Sequence, residues 1–219
     1  MKNFFSYDPK LLVYGFLIVF FASYGQTFFI SLFNTEIRFY YGLTDGEFGF
    51  VYAISTLFSS FILISFAKLI DHIDLRTYSL IVTVGLLLAC IGMALLINNI
   101  FYLFIIIFML RFFGQGAMTH AGETTMARYF GSNRGKALSV ATLGGMAGVM
   151  FLPYISLNYF TNIGMKQLWF YASISIIVFI PFIFLALSGQ KARHNKFDQG
   201  LTNDPLNFKL RTRDIIKDK

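Results

Sequence analysis

Apolar residues in this chain come in long runs separated by short polar stretches, and within the runs apolar and polar positions do not alternate. A helix needs roughly 20 mainly apolar residues to cross the hydrocarbon core of a bilayer. Strands of a membrane barrel would instead show alternating segments of about ten residues. The pattern predicts an all-α membrane protein with six transmembrane helices, at Leu11–Phe33, Gly46–Ala67, Tyr78–Ile97, Phe101–Met126, Lys136–Phe160 and Gln167–Ser188.

The composition agrees with a membrane location. Hydrophobic residues make up 56% of the 219 residues and charged residues only 13%, whereas soluble domains average about 25% charged residues. The first apolar run is too long for the core of a cleavable signal peptide, and no small-residue cleavage site follows it. We therefore expect it to be retained as the first span.

The distribution of Lys and Arg predicts the orientation. If the N-terminus is cytoplasmic, fifteen of these residues lie on the cytoplasmic side, Arg38 and Lys166 lie on the other side, and Arg111 is embedded. Cytoplasmic loops carry such an excess, so both termini are predicted to be cytoplasmic. The formal net charge of +7 then reflects topology, and no nucleic-acid partner is expected. The abundance of Phe, Ile and Asn suggests a bacterial inner membrane.

Arg111 lies near the middle of the fourth apolar run. A guanidinium at this depth costs between ~2.5 and ~17 kcal/mol, depending on the reference, and it normally faces a wet cavity or a partner. Helical spacing places Gln115 one turn away on the same face, continued by Thr119 and Gly122. This stripe predicts a solute or proton path. The alternative is a structural arginine bonded to backbone carbonyls.

The first span carries a polar cluster at mid-depth that includes Tyr24, Gln26 and Thr27. Such residues either bond to neighbouring helices or line a cavity for a solute with hydrogen-bond acceptors. Together with Arg111, a cavity of this kind favours a small organic anion.

Two motifs resemble signatures of the major facilitator superfamily. One is the connection after the second span, Ala67-Lys68-Leu69-Ile70-Asp71-His72-Ile73-Asp74-Leu75-Arg76, in which Leu69, Asp71 and Arg76 match. Ala67 and Asp74 stand where the signature has Gly. The other is Leu110-Arg111-Phe112-Phe113-Gly114-Gln115-Gly116-Ala117 in the fourth span, where the order of Gly and Gln departs by about one position.

The resemblance covers the whole chain and implies the N-terminal six-helix half of a twelve-helix bundle. It implies alternating access around a central cavity, and the chain also resembles bacterial carboxylate-type members of the family. Arg111 would then lie near the path of substrate and coupling proton. Asp71 would latch the cytoplasmic mouth against a second six-helix half, from the same gene or another chain, with Arg76 as its orienting partner.

Further candidates lie in the fourth and fifth spans. Glu123 is about 12 residues from Arg111, or ~18 Å along a helix, so it is too far to neutralise that charge. We expect it at the cytoplasmic mouth, either in a charge network with Arg76 and Arg128 or as a solvated carboxylate. Gly144 and Gly148 form a small-xxx-small seam for close helix packing, with a flexible gating helix as the alternative.

Two regions are predicted: a transmembrane bundle at residues 1–188 and a basic cytoplasmic segment at 189–219, interrupted by Gly200, Asn203, Asp204 and Pro205. No nucleophile motif or phosphate loop occurs, and the three histidines show no metal-ligand spacing, so neither an enzyme, a metal nor a cofactor is expected. We expect secondary active transport of a small organic anion such as a monocarboxylate. The alternative is a non-transporting six-helix scaffold or regulatory half that pairs with another chain.

Overall fold

The computed structural model describes residue 4 and residues 7–203, with the backbone alone at 159–162, 196, 198 and 200–203. Within these residues the chain forms helices and no β-strand. Six described helical stretches are long and apolar enough to cross a membrane: Pro9–Ser31, Asp45–Asp71, Leu75–Leu95, Ile100–Tyr129, Gly131–Asn158 and Ile163–Ala186. The prediction of an all-α protein with six spans is confirmed, and each end lies within five residues of its predicted position.

The spans are not all regular α-helices. In the described chain the helices are α1 (Pro9–Ala22), α2 (Thr27–Ser31), α3 (Asn34–Tyr41), α4 (Asp45–Phe66), α5 (Leu75–Leu95), α6 (Ile100–Met109), α7 (Thr119–Tyr129), α8 (Arg134–Ala186) and α9 (Gln190–Asn203). A 3₁₀ turn, Ser23–Gly25, interrupts the first span, and a π-helix, Leu110–Met118, joins α6 to α7. The fifth and sixth spans both lie in α8, which is broken at Gly164 (φ 77°, ψ 167°).

Polar residues define where several helices begin. Asp8 accepts a hydrogen bond from the backbone N–H of Leu11 at 3.1 Å, and Pro9 occupies the first turn of α1. Thr44 and Glu47 form a capping box at the start of α4. These side chains satisfy N–H groups that have no partner inside the helix, so each span begins where the apolar run meets polar residues.

The core of the bundle surrounds the first and third spans. Helix α1 packs mainly on α8 and α7, and α5 packs mainly on α8. In the most apolar stretch of each span, 56% of residues are buried for the first and third spans, against 11% for the second and 22% for the fifth. The second and fifth spans therefore leave most of their surface uncovered by this chain.

Gly144 and Gly148 lie where the fifth span touches the first. A Cβ on Gly144 would collide with the backbone carbonyl of Phe16, and one on Gly148 would collide with the Ser23 hydroxyl. The absence of a side chain at these two positions lets the helices approach closely, which is the arrangement of a packing seam.

Backbone contacts divide the chain into two compact units, Met1–Ser188 and Gly189–Lys219. In the second unit we expected irregular structure around Gly200, and this was wrong for the described part, since α9 continues through Gly200 to Asn203. A single Gly costs a helix only about 1 kcal/mol. Residues 204–219 lie outside the described residues, and the basic cytoplasmic segment stays a prediction.

Candidate functional site

Arg111 lies where two irregular stretches of helix cross. The first span departs from α-helical geometry at Ser23–Gly25, and Gln26 is extended (φ −78°, ψ 152°). The fourth span is π-helical around Arg111. A Cβ on Gly25 would lie 2.7 Å from the Cα of Gly114, so the two backbones touch. Irregular backbone inside a membrane is tolerated where protein or a polar cavity satisfies its hydrogen bonds. Here Arg111 supplies one of these hydrogen bonds.

The Arg111 guanidinium reaches from the fourth span to the first and second spans. Its Nη1 donates to the Thr27 hydroxyl at 2.9 Å and to the Gly25 carbonyl at 3.4 Å. Its Nε donates to the Thr56 hydroxyl at 3.2 Å. Its Cζ lies 5.3 Å from the centre of the Tyr52 ring, and the Tyr52 hydroxyl donates to Thr27 at 3.0 Å.

All of these partners are neutral, so the positive charge of Arg111 is not balanced locally. The ion pairs among the described residues are Arg38–Asp45 and Asp71–Arg128. Arg111 is only 7% exposed, and a buried cation without an anionic partner is unfavourable. Thr27 is exposed, while Tyr52 and Thr56 are half-buried. The guanidinium therefore sits just below the surface, under a neutral polar rim.

Only part of the predicted path cluster meets at Arg111. Thr27 bonds to it directly, as described above. Gln115 is half-buried and its Oε1 has no hydrogen-bond partner, and Gln26 is half-buried at the break in the first span. The Tyr24 hydroxyl bonds instead to Ser175 of the sixth span at 2.9 Å. The polar residues of the first span do not share one helical face, because the helix is interrupted within the cluster.

Sequence reasoning missed the second span's contribution to the site. Tyr52 and Thr56 are four residues apart and so lie on one face of α4. A polar pair at this spacing in an apolar run was a usable signal. The carbonyl of Gly25 could not have been found, because its position depends on the break in the first span.

Beyond the π-helix, α7 has one polar and open face. It consists of half-buried or exposed residues, Thr119, His120, Glu123, Thr124 and Ala127. The expectation that Gly122 continues the face of Arg111 was wrong. A Cβ on Gly122 would lie 2.5 Å from a methyl group of Val19 in the first span. The π-helix, with its i→i+5 hydrogen bonds, shifts the register of α7 relative to a regular helix.

The polar face of α7 differs from the other open faces of the spans. Exposed residues on the second span include Phe58, Phe61 and Ile62, and those on the sixth include Val178 and Phe182. Large apolar side chains suit lipid or a neighbouring helix. A face of two threonines, a histidine, a glutamate and an alanine lacks them and suits water.

The predicted gate residues meet in different pairs from those expected. Asp71, after the second span, forms an ion pair with Arg128 at the end of the fourth span. Arg76 is not the partner of Asp71, since its Nε donates to the Leu187 carbonyl at 3.0 Å. Glu123 is exposed, and the ion pairs of the described residues do not include it. The spans alternate in direction, so this group lies on the same side of the bundle as the start of α1.

The family profile described as Major Facilitator Superfamily matches residues 15–219. The chain belongs to the major facilitator superfamily. Comparisons with curated proteins and with solved structures returned no match. Major facilitators are multi-pass integral membrane proteins that transport small solutes and are not enzymes. Six apolar spans and a buried cationic side chain beside a polar face are consistent with that membership.

Proposed function

We propose that this major facilitator is a secondary active transporter of a small organic anion, such as a monocarboxylate, and that Arg111 binds the anion. The observation that carries the proposal is the neutral surrounding of the Arg111 guanidinium, which offers hydrogen-bond acceptors but no counter-charge. Two unit charges 4 Å apart attract by about 4 kcal/mol at an effective dielectric constant of 20. A carboxylate would therefore satisfy a charge that the described residues leave unbalanced.

The neutral rim around Arg111 supports binding of a carboxylate. The Thr27 hydroxyl accepts hydrogen bonds from both Tyr52 and the guanidinium. The guanidinium also lies 5.3 Å from the centre of the Tyr52 ring, so the two side chains hold it in one orientation. The described residues accept hydrogen bonds from Nη1 and Nε of the guanidinium and none from Nη2, so Nη2 can donate a charge-assisted hydrogen bond to a carboxylate. The Oε1 of Gln115, one helical turn further along, is buried without a hydrogen-bond partner among the described residues. We propose that it accepts a hydrogen bond from a hydroxyl of the solute when the path opens to it.

The polar face of α7 supports access by water to the site. It runs from the level of Gln115 towards the Asp71–Arg128 pair, and it would form one wall of an aqueous path. We propose that this path alternates between the two sides of the membrane and that the gate comprises Asp71, Arg76, Glu123 and Arg128. On the Lys and Arg distribution this gate is cytoplasmic, in a bacterial inner membrane.

The uncovered faces of the second and fifth spans support the proposal that further helices pack against this six-helix bundle. Only 11% and 22% of their most apolar stretches are buried, and their open faces carry large apolar side chains such as Phe61 and Met150. We propose that a second six-helix half, from the same gene or another chain, covers them. The other wall of the cavity would then belong to that half.

Uptake into proteoliposomes tests the proposal. Radiolabelled mono-, di- and tricarboxylates are compared with a neutral sugar and a cationic amine, and protein-free liposomes measure leakage. The wild-type protein should accumulate at least one carboxylate and neither control solute. Arg111→Ala should lower kcat/KM by at least about 30-fold, the equivalent of about 2 kcal/mol for a truncated charge contact.

The matched control is Arg38→Ala, which removes an arginine whose charge is already paired with Asp45. Its uptake should stay close to that of the wild-type protein. Carboxylate uptake that survives Arg111→Ala unchanged would exclude Arg111 from the site. Uptake of the sugar or the amine in place of the carboxylates would exclude an anion transporter.

A further inference from the structure

His120 is a titratable group on the open polar face of α7 and has no role in the anion site described above. It is half-buried, and the Thr124 hydroxyl lies 3.4 Å from both ring nitrogens. Both contacts are long for hydrogen bonds, so neither nitrogen is firmly committed to a partner. Imidazole is the side chain whose charge ordinarily changes between about pH 5 and 8.

The charge environment of His120 comes from its own span and from the helices packed against it. Among the described residues no ion pair or hydrogen bond joins His120 to another charged group. Its own span carries the titratable or charged groups Tyr102, Arg111, Glu123, Arg128 and Tyr129. On the elements packed against α7, the described side chains of this kind are Asp8, Lys10, Tyr14, Arg134, Lys136, Tyr154, Lys166 and Tyr171. Tyr14 is buried and bonds to Ser79 at 2.7 Å. Glu123, exposed on the same face, is one turn away.

We propose that His120 carries the proton in a proton–anion symport through this path, an inference that rests on the proposed anion transport. The neutral imidazole takes one proton from water on the side to which the face is open. It returns that proton to water on the other side after the change of conformation. One proton and one monocarboxylate then cross together, so that the imidazole is regenerated and no net charge is moved.

Protonation of His120 also favours the anion at Arg111. His120 lies nine positions after Arg111, which corresponds to roughly 13 Å along a helix. At that distance an added positive charge strengthens anion binding about two- to ninefold, between the limits of bulk water and an effective dielectric constant of 20. Proton and anion therefore bind with positive cooperativity, which is the thermodynamic requirement of a symporter.

The test compares two modes of uptake of whichever labelled carboxylate the wild-type protein accumulates. In the first mode, accumulation is driven by a pH gradient, acidic outside. In the second mode, labelled solute exchanges against unlabelled solute at equal pH, which requires no release of the proton. His120→Gln should reduce gradient-driven accumulation at least about tenfold and keep exchange within about threefold of wild type. His72→Gln, which changes an exposed histidine in the loop after the second span, is the matched control and should retain both modes.

The outcomes separate the two proposals. Loss of both modes in Arg111→Ala together with loss of gradient-driven uptake alone in His120→Gln supports both. A wild-type protein that transports carboxylate while His120→Gln still accumulates it along the pH gradient overturns the role of His120 and leaves the anion transporter intact. A wild-type protein that transports no carboxylate overturns the proposed function, and the symport with it.

A second readout does not depend on transport. The ring ¹⁵N signals of the protein in lipid nanodiscs are followed with pH, and the His120 signals are identified by their loss in His120→Gln. They should change over the range in which imidazole ordinarily takes up a proton, about pH 5 to 8, because the proposed cycle requires the ring to bind and release one. Signals that stay unchanged over this range would show that His120 takes up no proton and would overturn the proposal.

Discussion

Gly25 of the first span and Gly114 of the fourth span touch backbone to backbone, and a Cβ on Gly114 would lie 2.6 Å from the Cα of Gly25. This contact lets the Gly25 carbonyl reach the Arg111 guanidinium, 3.4 Å away. The position of the cation therefore depends on two residues that have no side chain.

Gly114→Ala should destabilise the protein and displace Arg111. The added methyl group has no space and meets backbone atoms, which cannot rotate away, and overpacking of this kind costs about 1–3 kcal/mol. Thermal unfolding in detergent should show a lower midpoint than wild type, and carboxylate uptake should fall. Gly49→Ala is the control, because nothing lies within 4 Å of a Cβ at that position. An equal midpoint for Gly114→Ala and wild type would mean that the two helices are further apart than described.

Thr27→Val should weaken anion binding by about tenfold or more. The hydroxyl accepts hydrogen bonds from Arg111 and from Tyr52, and a hydrogen bond to a charged group contributes about 1.5–3 kcal/mol. The weaker binding should appear as a higher KM, and Thr27→Ser, which keeps the hydroxyl, should have a KM close to that of wild type. Thr142→Val is the control, since among the described residues that hydroxyl bonds to the Leu138 carbonyl of its own helix and to no residue near Arg111. Equal KM values for Thr27→Val and wild type would contradict the role assigned to Thr27.

Cysteines on the polar face of α7 should react with a charged, water-soluble thiol reagent. The native Cys90 is buried and is first replaced by Ala. Single cysteines at Glu123 and Ala127 are then compared with cysteines at Val178 and Phe182, which are exposed on the sixth span. The thiolate is the reactive form and forms in water rather than lipid, so the α7 positions should react at least about tenfold faster. Equal rates at all four positions would exclude an aqueous path along α7.

The Asp71–Arg128 pair should affect transport more than stability. The Asp71 side chain is 55% exposed and that of Arg128 18% exposed, and pairs of this kind contribute only about 0.2–1 kcal/mol. We expect Asp71→Asn and Arg128→Gln to unfold within about 3 °C of wild type but to transport more slowly. Exchanging the two charges, Asp71→Arg with Arg128→Asp, should recover part of the rate. A charge exchange that is slower than either single variant would show that the pairing itself has no function.

The sequence was sufficient to predict the spans and one contact at the site. Hydropathy determines the spans because an unpaired peptide group in lipid is too costly for anything but a helix or a closed barrel. Thr27 and Arg111 were both predicted for the solute path, and they meet. This contact could be predicted because each span shows its own part of it in the sequence. The fourth span has a charged residue at mid-depth, and the first span has hydroxyl groups at the same level.

The rest of the site depends on irregular backbone that the sequence did not reveal. Gly122 was expected beside Arg111, but the π-helix turns His120 and Glu123 to the open face instead. Tyr24 was expected in the path, but the 3₁₀ turn at Ser23–Gly25 directs its hydroxyl to the sixth span. Both irregular segments depend on tertiary packing, such as the contact of Gly25 with Gly114. The helix propensities of the local sequence contain no information about such contacts.

Competition between a carboxylate and its uncharged amide tests the central claim most directly, because the two differ in charge and little in shape. Each compound is used to displace the labelled carboxylate from the purified protein. In the wild-type protein the carboxylate should compete at least about 30-fold better than the amide, as expected for a contact with a buried charge. In Arg111→Gln the two should compete equally. A preference for the carboxylate that persists in Arg111→Gln would contradict the claim that the unbalanced charge of Arg111 selects the solute.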